Sequence, residues 1–276
     1  MDGELKVSVI TPSYNQGRFI EDCILSVMNQ TYKNIEHIII DNESNDETDI
    51  IVKKYLCKYN LKYIREKDAG QANAINKGFK MATGDIICWL NSDDLFFNHY
   101  CIELVINKFR ENPRFDVITG NGYYCDKNLK FIKSIIPYAE GINKDVIKYF
   151  DNILQPSTFW KKNSLLLDEK LKYVFDWAFF IELFQRGFNF LYLNEYLSIY
   201  RTYGENKTGL DNRDRKYEIY LIQRKYLGLR NLNTYLCYFM YLCYLISEKT
   251  KLKIIKQFVT KLILILCKIT FRLIQL

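Results

Sequence analysis

The sequence predicts an α/β protein in which a mainly parallel central sheet is flanked by helices. Three strand-loop-helix units in the first 84 residues support this prediction, because Val- and Ile-rich runs alternate with segments of helical spacing. A polar loop follows each strand, and ligands of open α/β sheets gather at the carboxyl ends of the strands. Hydrophobic residues make up 49% of the 276 residues, which is enough for a sizeable core.

The strands and helices follow from apolar periodicity and from turn residues. In the first half, strands are predicted at 6–11, 35–40, 62–65 and 86–91, and helices at 18–30, 46–58, 72–82 and 99–110. In the second half, strands are predicted at 116–119, 123–125, 155–160, 188–193 and 197–201, and helices at 161–167, 176–187 and 212–226. Gly84 is expected to end the third helix. Neither GxGxxG nor GxxxxGK[ST] occurs, which argues against the dinucleotide and P-loop modes of binding.

The net charge of +7 is concentrated at the C-terminus. Residues 249–276 hold seven basic and no acidic side chains, so the first 248 residues carry no net formal charge. This distribution argues against a nucleic-acid-binding surface on the main body, and it predicts a separate role for the tail. The eight cysteines form no CxxC pair, which is typical of reduced thiols in a cytoplasmic protein.

An acidic segment follows the predicted strand at 86–91. The mostly apolar run from Ile86 leads directly into Asn91, Ser92, Asp93 and Asp94. Two adjacent carboxylates repel each other, and they are costly to bury unless a cation or hydrogen-bond donors face them. A divalent cation that also binds a diphosphate would suit them. An exposed turn or a helix N-cap is the alternative that these residues alone leave open.

Several stretches together resemble glycosyltransferase family 2, the nucleotide-sugar-dependent enzymes of GT-A fold. They occur in family order over about residues 5–205 and read VSVITPSYNQGRFI (7–20), IEHIIIDNESNDET (35–48), EKDAGQANAINKGFKMATGDIICWLNSDD (66–94), QPSTFWKK (155–162) and YVFDWAFFIELFQRG (173–187). The resemblance implies an inverting transferase of cell-surface polysaccharide biosynthesis. Its donor would be a nucleotide sugar, with UDP favoured by family habit, and its acceptor a glycan or lipid-linked hydroxyl.

The resemblance also implies a role for each matching position. Asp176 matches the catalytic base, although Asp at a helix start is also a common N-cap. Asp93 and Asp94 match the DxD-type element that binds Mn²⁺ or Mg²⁺. The positions that match the nucleotide-sugar site are Pro12, Tyr14, Asn15, Asp41, Asp68, Gln71, Asn76, Lys77, Asn91, Ser92 and Asp93.

Two departures from the family pattern keep an alternative open. Asn91 stands where many relatives carry Asp, and Tyr200-Arg-Thr-Tyr203 lacks the His that relatives often show after Tyr-Arg. A non-catalytic, membrane-bound accessory protein on a degenerate transferase scaffold is therefore the second hypothesis. A nucleotidyltransferase is disfavoured, because residues 12–17 are not a glycine- and Arg/Lys-rich phosphate loop.

The predicted organisation is a transferase domain at 1–210, with a nucleotide-binding half at 1–95 and an acceptor half at 96–210, followed by C-terminal helices at 211–276. The apolar run at 234–247 is too short to span a bilayer comfortably. The mixture of Lys, Arg and large apolar residues at 251–276 is typical of helices that lie in an anionic membrane interface. We therefore expect a cytoplasmic protein held at the inner face of the membrane. Packing of the tail on the domain, or on a second subunit in a homo-oligomer, is the alternative.

Overall fold

A computed structural model describes residues 4–137, 146–204 and 213–250. The strands are β1 (Val7–Ser13), β2 (Ile35–Asp41), β3 (Leu61–Arg65), β4 (Ile86–Trp89), β5 (Leu95–Phe96), β6 (Val117–Cys125), β7 (Phe131–Ile135), β8 (Thr158–Lys161) and β9 (Phe190–Arg201). The helices are α1 (Gly17–Met28), α2 (Thr48–Lys53), α3 (Gln71–Met81), α4 (Cys101–Glu111), α5 (Phe175–Gln185), α6 (Arg213–Leu227) and α7 (Leu232–Thr250), with a 3₁₀ turn at Gln155–Ser157.

The chain divides into two compact units. The first comprises Met1–Lys144 and Asn152–Glu205, and the second comprises Asp145–Asp151 and Asn206–Leu276. The domain boundary at residue 210 and the division of the transferase domain at residue 95 stay predictions.

The first unit is built on one mixed sheet. In the described residues its strand order is β3-β2-β1-β4-β8-β6-β9-β5, and β7 pairs with the later part of β6. The four strands β3, β2, β1 and β4 are parallel, as the strand-helix alternation predicts. β8 runs antiparallel to both β4 and β6, and β7 is antiparallel to β6 because a tight hairpin joins them. The α/β prediction is confirmed, and the parallel pairing predicted for the first half is present in β1 to β4.

Continuous apolar runs form the strands at the centre of the sheet. Every residue of β1 and β2 is buried, which is typical of strands covered on both faces. Helix α1 contributes to two apolar clusters, with Cys23 and Val27 in one and Ile20 and Ile24 in the other. This packing fixes the carboxyl ends of β1, β2 and β4, where the polar loops begin.

Residues 161–167 do not form the predicted helix. Lys161 ends β8, and the following residues form no helix; Leu165 and Leu167 are buried while Leu166 is 39% exposed. That alternation has the period of extended chain rather than of a helix. The side chain of Asn163 accepts a hydrogen bond from the Leu165 amide at 2.8 Å, a local turn that competes with helix formation.

Two pairs of predicted strands are single strands in the structure. The segments at 116–119 and 123–125 join through Gly120 and Gly122 into β6, and those at 188–193 and 197–201 join into β9. β6 and β9 are parallel neighbours, with register shifts between Thr119 and Gly122. Glycine in β6 reads as a break in the sequence, but it permits close approach to β9, since a Cβ on Gly120 would lie 2.8 Å from the Glu195 carbonyl oxygen.

Gly84 also serves close packing and does not end the helix. Helix α3 ends at Met81, and Ala82 already has extended backbone angles. A Cβ added to Gly84 would lie 2.6 Å from the Ser8 hydroxyl oxygen and 2.7 Å from its amide nitrogen. Only glycine lets this turn lie directly against β1.

The second unit contains α6 and α7, which are separated by Gly228 in the left-handed conformation at φ 83°. Tyrosine rings join the two helices, with 5.0 Å between the ring centroids of Tyr217 and Tyr241 and 4.9 Å between those of Tyr220 and Tyr238. Across the described ranges of the chain, no helix is both long and apolar enough to cross a bilayer. The predicted membrane-binding segment 251–276 lies outside the described residues.

Candidate functional site

The loops that follow β1 and β2 are hydrogen-bonded to each other. The Asn42 amide donates to the Ser13 carbonyl at 3.0 Å, and the Asn15 amide donates to the Ser44 hydroxyl at 2.8 Å. The Asn15 side chain in turn accepts from the Asn45 amide at 3.0 Å. Asn15 has a left-handed φ of 51°, which Asn tolerates better than most residues. The structure therefore builds one rigid polar rim from these two loops.

Asp41 is fully buried at the end of β2. One carboxylate oxygen accepts from the Ser44 amide at 3.0 Å and from the Tyr63 hydroxyl at 3.2 Å, and the other accepts from the Ser44 hydroxyl. The Arg65 guanidinium lies 3.7 Å from the first oxygen. Asp41 thus orders its own loop. A nucleobase that binds the Asp41 carboxylate would be an additional hydrogen-bond donor beside Ser44, Tyr63 and Arg65.

A buried contact ties the β1 loop to the acidic segment. The Ser92 hydroxyl donates to the Pro12 carbonyl at 3.0 Å, and both residues are buried. Tyr14, two residues further along, is 57% exposed. Tyr14 is therefore accessible to a ligand for stacking, whereas Ser92 and Pro12 position the loops.

The loop before α3 reaches the same place. The Asp68 amide donates to the Asn42 side chain at 2.9 Å, and the Asp68 carboxylate accepts from the Gly70 amide at 2.7 Å. Gly70 has a φ of 124°, so this turn requires glycine. The Gln71 side chain then donates to Asn91 at 3.0 Å. Asp68 and Gln71 are thus joined to both the β2 loop and the acidic segment.

Asn76 and Lys77 make structural contacts instead. The Asn76 amide group, which is buried, donates to the Leu167 carbonyl at 3.0 Å and accepts from the Leu167 amide at 2.8 Å. The Lys77 ammonium group lies 2.7 Å from the Glu66 carboxylate and donates to the Lys67 carbonyl at 2.8 Å. Each side chain holds a loop, and contact with a nucleotide stays a prediction for both.

Asn91 is the centre of a hydrogen-bond network at the end of β4. Its carbonyl oxygen accepts from Trp89 Nε1 at 2.9 Å and from Gln71 Nε2 at 3.0 Å. Its NH₂ group donates to the Asp94 carboxylate at 3.1 Å and to the side-chain oxygen Oε1 of Gln155 at 3.3 Å. An amide side chain both accepts and donates hydrogen bonds. An ionised Asp at position 91 could accept from Trp89 and Gln71, but it could not donate to Asp94 and Gln155.

Asp93 and Asp94 differ in their surroundings. Asp94 is 1% exposed, and its second oxygen accepts from the Arg201 amide at 3.3 Å. Burial, followed by the negative charge of Asp93, raises the pKa of Asp94 well above its usual range. Asp93 is half-buried and accepts from the Tyr203 hydroxyl at 2.8 Å. Burial and the Asp93 charge likewise raise the pKa of Tyr203, so that it stays a donor.

Arg201 supports the acidic segment from the interior. Its side chain is 1% exposed and forms an ion pair with Asp22 at 2.8 Å. The Arg201 guanidinium carbon also lies 4.4 Å from the centre of the Phe19 ring, which is 4.7 Å from the centre of the Tyr203 ring. Sequence reasoning noted only that Tyr203 follows where relatives often have His. It also missed Gln155, although the matching stretch QPSTFWKK begins there.

Asp176 lies in the first turn of α5 and is half-buried. Val174 occupies the N-cap position, so the N-cap interpretation of Asp176 is wrong. The ring of Phe175 stacks on that of Trp89, with 5.6 Å between the centroids and 26° between the planes. Trp89 in turn donates to Asn91. This stack anchors the start of α5 beside the end of β4, where the acidic segment begins.

Asp93 and Asp94 are the candidate ligands for a divalent cation. Among the described residues, no group of three or more His, Cys, Asp or Glu side chains is placed to hold a metal ion. Mg²⁺-type sites often use only one or two protein carboxylates, with water and substrate phosphates as the remaining ligands. Asp93 and Asp94 supply oxygen ligands of this kind, and a cation beside them would offset the repulsion between their charges. Mn²⁺ prefers the same oxygen ligands.

Two solved structures with a similar fold hold nucleotide sugars. S. aureus TarS, in complex with UDP-GlcNAc, matches with a TM-score of 0.68 and 20% identity, over 88% of this chain and 73% of that chain. The mannosyltransferase PcManGT of Pyrobaculum calidifontis, in complex with GDP-Man and Mn²⁺, matches with a TM-score of 0.60 and 15% identity, over 82% and 65% of the two chains. These likenesses confirm the predicted GT-A fold.

Sequence relatives are also glycosyltransferases by name. A Rickettsia typhi glycosyltransferase is 32% identical over 182 residues, which cover 62% of this chain and 56% of the relative. GlyG of Streptococcus pneumoniae is 32% identical over 124 residues, which cover 44% and 40% of the two chains. The chain thus spans little more than half of the first relative. The model of the family named Glycosyl transferase family 2 matches residues 8–182, and the chain belongs to that family.

Proposed function

We propose that the protein is an inverting glycosyltransferase that moves a sugar from a nucleotide sugar to a hydroxyl group of a glycan or lipid-linked acceptor. One observation carries the proposal. The acidic segment at the end of β4 and the start of α5 are held together by the stack of Phe175 on Trp89. This contact supports a cation site at Asp93 and Asp94 and a base at Asp176 as parts of one proposed site.

The nucleotide would bind at the joined loops. Tyr14 is exposed for stacking on the base, and Asn15 and Asp68 provide polar groups on the loop rim. Gln71 and Asn91 would position the ribose and the diphosphate, and Ser92, whose hydroxyl group donates to the Pro12 carbonyl, would hold the loop beside them. A UDP-sugar is the favoured donor, because the TarS structure holds UDP-GlcNAc. The PcManGT structure holds GDP-Man, so GDP is the competing nucleotide.

Asp93 would hold a Mn²⁺ or Mg²⁺ ion, with Asp94 beside it. Such an ion supplies neutralising charge for the departing diphosphate. Asn91 and the Arg201 amide fix the two oxygens of Asp94, and the Tyr203 hydroxyl fixes one oxygen of Asp93. These three hydrogen bonds orient the carboxylates before the nucleotide sugar binds. Less free energy is then needed to arrange them during the reaction.

Asp176 is the proposed base. The acceptor oxygen forms a bond to the anomeric carbon while the bond from that carbon to the diphosphate oxygen breaks. The hydroxyl proton passes to the Asp176 carboxylate. A single displacement needs no enzymatic nucleophile, so the configuration at the anomeric carbon inverts.

The location of the protein in the cell is inferred from the basic C-terminal residues 249–276. The positive charge after residue 248 favours a peripheral location at the inner face of the membrane, where a lipid-linked acceptor of cell-surface polysaccharide synthesis would be found. A second subunit is the competing partner for these helices. If deletion of 249–276 leaves the membrane-bound fraction of the protein unchanged, the tail is not the anchor.

Release of nucleoside diphosphate from UDP-sugars tests the proposal. Asp176→Asn should bind donor almost as well as wild type but turn over about 10²–10⁴-fold more slowly, because it cannot take the proton. Asp214→Asn is the matched control, since Asp214 also lies in the first turn of a helix. Turnover of the Asp176→Asn variant within tenfold of wild type would remove this residue from the role. Donor binding without turnover in wild type would favour the accessory-protein hypothesis.

A further inference from the structure

The hairpin formed by β6 and β7 carries an exposed surface that the proposed reaction does not use. Its outer part, residues 127–136, is called the basic hairpin below. Residues 127–134 and Ile136 are all exposed. The exposed fractions of its large apolar side chains are 57% for Phe131, 51% for Ile132, 55% for Ile136 and 37% for Leu129. Single exposed apolar residues are common, but four within eight residues mark a contact surface.

The turn of the basic hairpin displays an apolar side chain at some conformational cost. Asp126 accepts hydrogen bonds from the amides of Asn128 and Lys130, each at 2.9 Å, and its own amide donates to the Lys130 carbonyl. Between them, Leu129 adopts a left-handed φ of 63°. Gly or Asn would form this turn with less strain. The fold alone therefore does not account for a leucine at the tip.

The charge of the basic hairpin has one sign. Lys127, Lys130 and Lys133 alternate with the apolar residues, and residues 127–136 contain no acidic side chain. All three lysines are exposed, and the ammonium group of Lys133 lies 5.0 Å from the centre of the Tyr124 ring. Large apolar residues interleaved with lysines are the composition of segments that enter the interface of an anionic bilayer.

We propose that the basic hairpin binds the surface of a membrane that contains anionic lipids. Leu129, Phe131 and Ile132 enter the boundary between headgroups and acyl chains, and the lysines contact lipid phosphates. This contact lies in the first compact unit and depends on neither the C-terminal tail nor sugar transfer. The charge pattern favours lipid over two other occupants, a glycan stacked on the neighbouring tyrosines and a second copy of the chain paired with β7.

Tryptophan fluorescence of the full-length chain tests this placement. Trp89, Trp160 and Trp177 are at most 3% exposed, so they respond little to added lipid. In Phe131→Trp, emission should shift to shorter wavelength when vesicles of phosphatidylglycerol and phosphatidylcholine are added, and brominated lipids should quench it. Ile50→Trp is the matched control, because Ile50 is 65% exposed in α2. Its emission should stay unchanged.

A charge variant gives an independent measurement. The triple variant Lys127→Gln, Lys130→Gln, Lys133→Gln should bind vesicles about 10- to 100-fold more weakly, because the electrostatic attraction of each lysine to an anionic surface is lost. Replacing Lys53, Lys54 and Lys58 by Gln is the control, and it should change binding by less than about threefold. Titration of UDP into the same variants should give wild-type affinity, which separates this proposal from the proposed donor site.

Several results would overturn the proposal. The Phe131→Trp emission could stay unshifted while the chain sediments with vesicles, or the chain could fail to bind vesicles at all. A shift produced by soluble oligosaccharide without lipid would assign the basic hairpin to a glycan. A shift that depends on protein concentration without lipid would assign it to a second copy of the chain.

Discussion

Asn91→Asp tests whether the acidic segment depends on a neutral side chain at its first position. Asn91 Nδ2 lies 3.1 Å from a carboxylate oxygen of Asp94, which is buried and already has a raised pKa. The substitution adds a third carboxylate to the segment that already holds Asp93 and Asp94. It also removes the NH₂ group that donates a hydrogen bond to the Gln155 side chain. It nevertheless keeps the acceptor for Trp89 and Gln71. The variant is therefore nearly isosteric, and its main effect is electrostatic.

The expected loss of stability follows from the distance between the charges. Two negative charges 3.1 Å apart repel by about 5 kcal/mol at an effective dielectric constant of about 20. The pair can avoid part of this repulsion by holding one proton, and protonating a carboxyl group with an ordinary pKa near 4 costs about 4 kcal/mol at pH 7. The cost is smaller for Asp94, because burial already raises its pKa. We therefore expect Asn91→Asp to lower the free energy of unfolding by about 2–4 kcal/mol at pH 7 without metal.

Urea unfolding in a chelating buffer between pH 5 and 8 measures this loss. The folded variant holds the shared proton more tightly than the unfolded chain does, so the deficit should grow as the pH rises. Mn²⁺ should reduce the deficit, because a cation between the carboxylates removes the repulsion. Asn128→Asp, at an exposed site, is the control and should change stability by less than about 0.5 kcal/mol. Equal stability of Asn91→Asp and wild type without metal would refute this reasoning.

Two buried polar residues give further predictions. Burial lowers the pKa of His37 to about 3, so the folded chain keeps it neutral, and its contribution to stability is lost as the pH falls from about 6.5 towards 3. The stability advantage of wild type over His37→Gln should therefore shrink by about 1.5 kcal/mol between pH 6.5 and 5 in urea unfolding, and a constant difference would contradict the assignment. Asn76→Ala should lower the free energy of unfolding by about 2–4 kcal/mol, because it leaves the Leu167 amide and carbonyl without their partner. Calorimetric titration of UDP into Asn76→Ala tests the predicted nucleotide contact separately: loss of the loop contact alone should change UDP affinity little, whereas loss of a direct contact should lower it strongly.

The first half of the fold could be predicted because local pattern and tertiary role agree there. The runs at 35–40 and 86–91 are buried strands that end in polar loops, and Gln71–Met81 is a helix whose apolar positions recur at helical spacing. Trp89, at the end of β4, is 1% exposed. Parallel strands covered on both faces leave a continuous apolar run, which is hard to mistake.

The second half shows where sequence reasoning fails. Three consecutive leucines at 165–167 resemble a helix, but the Asn76 side chain holds Leu167 in an extended loop from another part of the chain. Gly120 and Gly122 resemble a turn, but they lie inside a strand that a neighbour approaches closely. In both cases, contacts distant in sequence override the local pattern.

The candidate site was predictable as a set of positions but not as a set of roles. The resemblance selected the acidic segment and Asp176. It also assigned Asn76 and Lys77 to the nucleotide, which stays a prediction, and it gave no sign that their polar groups hold loops. Tyr203 and Gln155 complete the network around Asp93 and Asn91 through hydrogen bonds between residues 64 to 110 positions apart in the sequence. No periodicity or motif spacing reveals such partners.

Calorimetric titration of UDP and GDP, with and without Mn²⁺, into wild type and Asp93→Asn tests the proposed donor site most directly. We predict UDP binding that requires Mn²⁺ and is lost in Asp93→Asn, since this carboxylate would hold the cation. Asp94→Ala should give the same loss together with lower stability, because Asp94 is buried. If neither nucleotide binds wild type, or if binding is independent of both Mn²⁺ and Asp93, the proposed metal-assisted donor site is contradicted.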